Sequence, residues 1–166
     1  MTAGSESIAA FYRGWDAYQA RLVTAIQPLS ADQLDSRAAP HLWSLRILAA
    51  HVVATRVWWF HAWMGEGPAD LEEMQEWDED ARSELRSAPE LVTGLERTWE
   101  VIDGCLQRWT VDDLSASFIR PRADAQGERP RRTRQWIIWH LLEHDLHHGG
   151  EISFTLGIHG LAGVGL

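Results

Sequence analysis

Residues 136–151 read WIIWHLLEHDLHHGGE, and four histidines, His140, His144, His147 and His148, fall inside this apolar run. The apolar spacing is that of a helix. On a helix, residues four apart share a face, so His144 and His148 stack one above the other. An aliphatic helix face has little use for imidazoles at such positions, whereas a metal ion does. A helical pair supplies only two ligands, so a third must come from elsewhere in the chain.

An internal repeat points to it. Two segments share one plan: a long helix, a Ser/Thr-x-Asp-Gln/Asp-Leu turn, a Pro-containing loop, then Trp and His. Trp43 precedes His51 by eight residues, and Trp136 precedes His144 by eight. Repeats establish equivalences, and this one equates His51 with His144 on corresponding helices. His148 is the second ligand on the last helix, since it continues the stripe Ile137, Leu141, His144, His148, Ile152, Thr155. His140 lies on an adjacent strip, and His147 is offset toward a neighbouring face. Taken singly, a histidine reads more readily as a satisfied core residue or part of a polar helix face than as a ligand. Three neutral imidazoles brought together from two helices, however, lack donors for one another's lone pairs. Three histidines with an open position describe a catalytic zinc site, and they also suit nickel, manganese or iron(II).

Around that pair of segments the chain reads as four long helices with short connector turns, an all-α domain over residues 1–166. An apolar stripe from Ser5 to about Leu29 makes the first helix, ending near Pro28. Ser30 and Gln33 form a capping box for a short turn. Ser44 caps a second helix that runs to about Met64, with Ile47 or Leu48, His51, Thr55, Trp58 and Ala62 as its inward face. His61, near that helix's end, reads as solvated or in contact with the last carbonyls. Between Glu66 and Glu84 stand nine acidic residues, which read as a solvated face. Trp77 within them reads as a lid or a subunit contact. Pro89 opens a third helix with the stripe Leu91, Leu95, Trp99, Ile102, Leu106, Trp109. Thr110–Leu114 repeats the earlier capped turn. An arginine-rich loop follows, and the last helix runs from near Thr133 to about Thr155. The glycine-rich tail carries Ile158, Leu161, Val164 and Leu166, enough to fold back or to join an interface.

Composition excludes several functions. Fifteen arginines and no lysine exclude Schiff-base and lysine general-base chemistry. A net charge of −9 argues against nucleic-acid binding, which rests on phosphate neutralisation. Cys105 is the one cysteine, so no intrachain disulfide forms, and its helical neighbours Ile102 and Leu106 place it in core packing. With no signal-like segment and no apolar run of about 20 residues, the expected compartment is the cytoplasm, with no membrane partner.

At His51 within ILAAHV, and His144 and His148 within HLLEHDLHHGGEI, the chain resembles the DinB-like (YfiT-like) metalloenzymes. The resemblance covers nearly the whole chain. It implies an up-down-down-up four-helix bundle, a metal held by His51, His144 and His148, and a homodimer. It also implies a thiol-dependent S-transferase or isomerase that uses a low-molecular-weight thiol of the bacillithiol or mycothiol type, with zinc or nickel ahead of manganese or iron. Where many members carry His-Arg-Gly, this chain has His148-Gly149-Gly150 and so lacks that arginine.

Other residues are candidates for supporting roles. Asp145 stands where a metalloprotease H-E-x-x-H motif has its general base, one methylene shorter. Glu151 is three residues beyond His148 and could act as base or orient that ring; Glu143 reads as an exposed helix charge. Arg120, Arg122, Arg131 and Arg132 could clamp an anionic thiol or carboxylate substrate, against the plainer reading of a solvated loop. Besides the transferase, a metal-dependent hydrolase and a non-catalytic metal- or small-molecule-binding stress-response bundle stay open. A fourth protein ligand, such as His140 or Glu151, would favour the non-catalytic role.

Overall fold

The computed structural model describes residues 6–165; Ser5 and Leu166, which bound the apolar stretches expected at either end, lie outside them. The chain enters through a 3-10 turn, Ile8–Tyr12, and continues as α1, Arg13–Ile26, burying Trp15, Tyr18, Leu22, Ala25 and Ile26 on one face. Ser30 and Gln33 form the expected capping box at the start of α2, Ala31–Leu34. Ser44 caps α3, Leu45–Arg56, which widens into a π-helical segment, Val57–Trp63, before ending near Met64. α4 spans Ala88–Arg108, with a Ser87–Glu90 capping box and Pro89 in its first turn. Thr110 and Asp113 cap the turn Val111–Ser115 in the same way. α5, Arg134–Ile158, is capped by Thr133. No helix among the described residues is long and apolar enough to cross a membrane.

Contacts between helices give their directions. Arg46 reaches the carbonyl of Arg86 and Arg56 that of Leu95, while Glu66 pairs with Arg108, so α3 and α4 run parallel. Trp43 approaches His148 and Trp59 approaches Trp136, so α3 and α5 are antiparallel. Trp15 meets Trp99 and Gln19 meets Leu95, which sets α1 against α4. Trp15 also bonds Asp145, and Tyr18 packs on Gly149, so α1 runs with α5. The result is the up-down-down-up bundle. A parallel α3–α4 pair forces a crossover, and residues 64–87 supply it.

Four expectations need correction. The face of α3 carrying His51, Thr55, Trp58 and Ala62 is the half-exposed one; α3 is buried on its other sides between α4 and α5. The acidic connector is not a free solvated face. It forms a 3-10 turn, Ala69–Met74, that buries Leu71 and Met74, and arginines answer its acids: Arg108 for Glu66, Arg97 for Asp70, Arg122 for Glu76, Arg86 for Asp80 and Arg37 for Glu84. Trp77 is packed in place rather than standing free as a lid, because its ring fills the space that a Cβ on Gly94 would need and lies under the Arg86 guanidinium. The arginine-rich stretch, read as a loop, contains a hairpin: β1, Ser117–Ile119, pairs antiparallel with β2, Arg131–Thr133. The tail does fold back, with Val164 buried and bonded to Ser153, while Ile158 stays exposed.

One buried polar network joins all four long helices. Arg56 of α3 and Asp145 of α5 form an ion pair at 2.7 Å with both side chains fully buried. Trp15 of α1 donates its indole N–H to Asp145 at 2.8 Å, and Arg56 donates to the Leu95 carbonyl of α4 at 3.2 Å. Asp145 is therefore a structural residue. It belongs to the core stripe Ile138, Leu141, Asp145, Gly149, Ile152, Leu156, all buried, and the base role suggested by its place in the motif does not hold.

A buried pair that loses one member leaves an unpaired charge, at a cost of about 3–5 kcal/mol, whereas an apolar replacement of both is near neutral. Asp145→Asn and Arg56→Met are each expected to lose about that much stability in urea unfolding. Arg56→Met combined with Asp145→Leu should recover most of it. A single variant within ~1 kcal/mol of the parent would show that the network does not hold the bundle.

Candidate metal centre

α3 and α5 bring the three expected histidines together. Ligand nitrogens of His51, His144 and His148 all lie within 4.8 Å of one another. His51 Nε2 and His144 Nε2 are 3.0 Å apart, and the ring centroids of His144 and His148 are 4.3 Å apart. The repeat equivalence of His51 and His144 thus corresponds to direct contact. All three side chains are half-buried, at the wall of the bundle rather than its centre.

The outer nitrogens determine which inner ones are free. Asp78 Oδ2 lies 2.6 Å from His51 Nδ1, and Glu151 Oε2 lies 2.6 Å from His148 Nδ1. A carboxylate accepts, so each Nδ1 carries its proton and each Nε2 presents a lone pair. Metal-binding histidines are oriented in this way. Without a cation, lone pairs from two tethered rings converge on His144 with at most one N–H to share. His144 Nδ1 is buried with no hydrogen-bond partner. The donor set fits a divalent ion of nitrogen preference.

Burial, aided by the neighbouring histidines, pushes the His144 pKa down to about 3. Burial also lowers His148, against the opposing pull of Glu151. Both rings are therefore neutral near pH 7, the state in which imidazole binds a metal.

The remaining candidates divide. Glu151 takes the orienting role on His148. Asp78 does the same for His51 but was hidden in the acidic run; the one sequence signal for it was Trp77, an aromatic residue with no reason to sit on a solvated face. His140 stacks on Trp136 at 4.7 Å and stands edge-on to Trp59, so it does not join the cluster. Trp136 therefore serves His140, whereas its repeat counterpart Trp43 packs against His51 at 4.9 Å. His147 is exposed, 3.7 Å from Glu151. Glu143 is exposed too. His61 contacts the Glu66 carbonyl.

Arg120 and Arg122 line a cleft of about 320 Å³ that also contains Asp78. Arg120 lies over the Trp58 ring and Arg122 pairs with Glu76. Arg131 and Arg132 point elsewhere, to Ser117 and to the Trp136 ring. Cys105 is buried, and its burial pushes the thiol up to about 12, so this chain offers no reactive thiol of its own.

Comparison with known proteins agrees with this architecture. A solved DinB-like protein from Bacillus cereus ATCC 10987 has the same fold, with a TM-score of 0.71 and 21% identity, over 98% of this chain and 99% of that one. No curated protein matches the chain. The model of the DinB family matches residues 3–164, a span that includes all four long helices and the three clustered histidines. The chain belongs to the DinB family.

Proposed function

We propose that this protein is a divalent-metal-dependent enzyme that transfers a low-molecular-weight thiol to an electrophilic small molecule, as an S-transferase or, with addition followed by elimination, an isomerase. The observation that carries the catalytic reading is the open ligand set. Among the described residues no fourth ligand atom joins His51, His144 and His148: His140 is held by Trp136, and Glu151 is engaged at the far nitrogen of His148. Three ligands and an open position are the pattern of catalytic sites; structural sites close the sphere.

A divalent ion bound there would supply Lewis acidity, enough to bring a water pKa to about 7 or to favour a thiolate over a thiol. The protein's own part is positional. Asp78 and Glu151 hold two rings in their Nδ1–H tautomers, Trp43 packs on His51, and burial keeps His144 and His148 unprotonated. The inert Cys105 supports a thiol brought from solution rather than one supplied by the chain.

Elemental analysis of protein purified without chelator should find about one divalent ion per chain, and His51→Ala, His144→Ala or His148→Ala should lose it. Asp78→Ala should weaken metal affinity about 10–100-fold, as removal of an orienting carboxylate does. Full metal retention by His51→Ala would overturn the metal centre. With metal present, loss of free thiol in the presence of a chloronitrobenzene should exceed the uncatalysed rate; no thiol consumption with any of zinc, nickel, manganese or iron(II) would overturn the transferase.

The His144 pKa also predicts the pH response of metal-free protein. Its folded value of about 3 lies below its ordinary 6.5, so the unfolded chain binds the extra proton. This contribution is fully present above pH 6.5 and falls as pH drops toward 3, with a slope of about 1.4 kcal/mol per pH unit. Urea unfolding at several pH values should show this slope, reduced in His144→Gln. An unchanged slope in that variant would assign the acid sensitivity elsewhere.

A further inference from the structure

On the solvent side of the three-histidine centre, α5 presents a second set of donors. Ligand atoms of His147, His148 and Glu151 all lie within 4.8 Å of one another. Glu151 faces two ways: its Oε2 is 2.6 Å from His148 Nδ1, and its Oε1 is 3.7 Å from His147 Nε2. The first distance is a short hydrogen bond. The second is too long for one, yet it is close to the bite of a chelate. Two ligand atoms about 2.1 Å from one ion, at a tetrahedral angle, stand roughly 3.4 Å apart.

Helical spacing produces this geometry. His147 and Glu151 are four residues apart, so they are neighbours on one face of α5. The His147 ring stands edge-on to His148, with centroids 4.8 Å apart, and both His147 and Glu151 are exposed. Gly150 has open space where a Cβ would stand, which leaves room for an ion's waters. The nearby groups do not compete for the position. Glu143, four residues before His147, lies 3.9 Å from His140. His41 shares a wall with His148 and Glu151 but falls outside the set of close ligand atoms. His148 Nδ1 keeps its proton for Glu151, so two side chains, His147 and Glu151, remain to hold a cation, with water completing its shell.

We propose that His147 Nε2 and Glu151 Oε1 form a second, weaker divalent-cation site, filled at raised free metal, that opposes the first. The opposition, though not the site itself, rests on the three-histidine reading above. Glu151 joins the two: Oε1 takes the second cation while Oε2 accepts from His148, whose Nε2 belongs to the first centre. A cation on Glu151 withdraws charge from the carboxylate that orients His148. Loss of such a partner weakens a metal site about 10–100-fold, and the like charges of two cations repel besides. Coupling of this kind is reciprocal, so the first ion weakens the second by the same factor. Excess metal thereby loosens the functional ion.

The test dialyses full-length protein against zinc buffered at a series of free concentrations and counts bound zinc by elemental analysis. The parent should take up one ion, then a second at higher free zinc. His147→Ala, at an exposed position, should keep the first ion and lose the second. His51→Ala combined with His144→Ala dismantles the first centre and leaves His147 and Glu151 in place. That double variant should bind one ion about tenfold more tightly than the parent binds its second. An ion count in His147→Ala equal to that of the parent at every zinc concentration would overturn the site. Equal affinity in the double variant and at the parent's second site would overturn the coupling. Failure of the three-histidine reading alone would look different: one weakly bound ion in the parent, lost in His147→Ala and kept in the double variant.

Discussion

The bundle depends on the fully buried pair of Arg56 and Asp145. Such a pair adds little net stability, since desolvation offsets most of its attraction. Its effect is on alternatives. Sliding α5 by one turn against α3 would leave two charges in the core without partners, together with the indole of Trp15 and the carbonyl of Leu95 that complete the network. His144 is the residue before Asp145, and His51 lies five residues before Arg56. The register that satisfies the ion pair is therefore the register that brings His51 Nε2 within 3.0 Å of His144 Nε2.

This coupling explains why the site was more legible in the sequence than its support. The repeat and the i, i+4 spacing of His144 and His148 place ligands relative to one another, and both are local or comparative signals. The role of Asp145 is neither. Successive helix residues point about 100° apart, so a His-Asp pair can put either member inward, and the partner that decides is an arginine 89 positions away. The resemblance to H-E-x-x-H suited His144 and His148 but not Asp145, which faces the core of the bundle. The better guide was the buried stripe that continues through Gly149, where the Tyr18 hydroxyl occupies the place of a Cβ.

The acidic connector misled for a related reason. A run of like charges shows no periodicity, and its arginine partners come from remote positions on α4, the hairpin and the α2–α3 connector. The absence of lysine carries some of that information, because arginine forms fixed, planar pairs and stacks on rings, as Arg86 does with Asp80 and Trp77. A crossover built this way can hold one carboxylate in a set position. Asp78, with its side chain 13% exposed, meets His51 on these terms.

The three ligands are consequently not equivalent. His51 is held by a nearly buried carboxylate from the connector, and His148 by Glu151, whose side chain is 47% exposed and lies on the same helix. His144 has no such partner, and its buried Nδ1 is unsatisfied. An unpaired buried polar group costs about 1–3 kcal/mol, and the fold sustains it beside a buried ion pair whose register is already determined. Two carboxylates set the tautomers of the flanking rings, while the central one has no carboxylate on its outer nitrogen. The flanking rings are thus the ones whose donor strength the protein tunes from outside, His51 through the connector and His148 through its own helix.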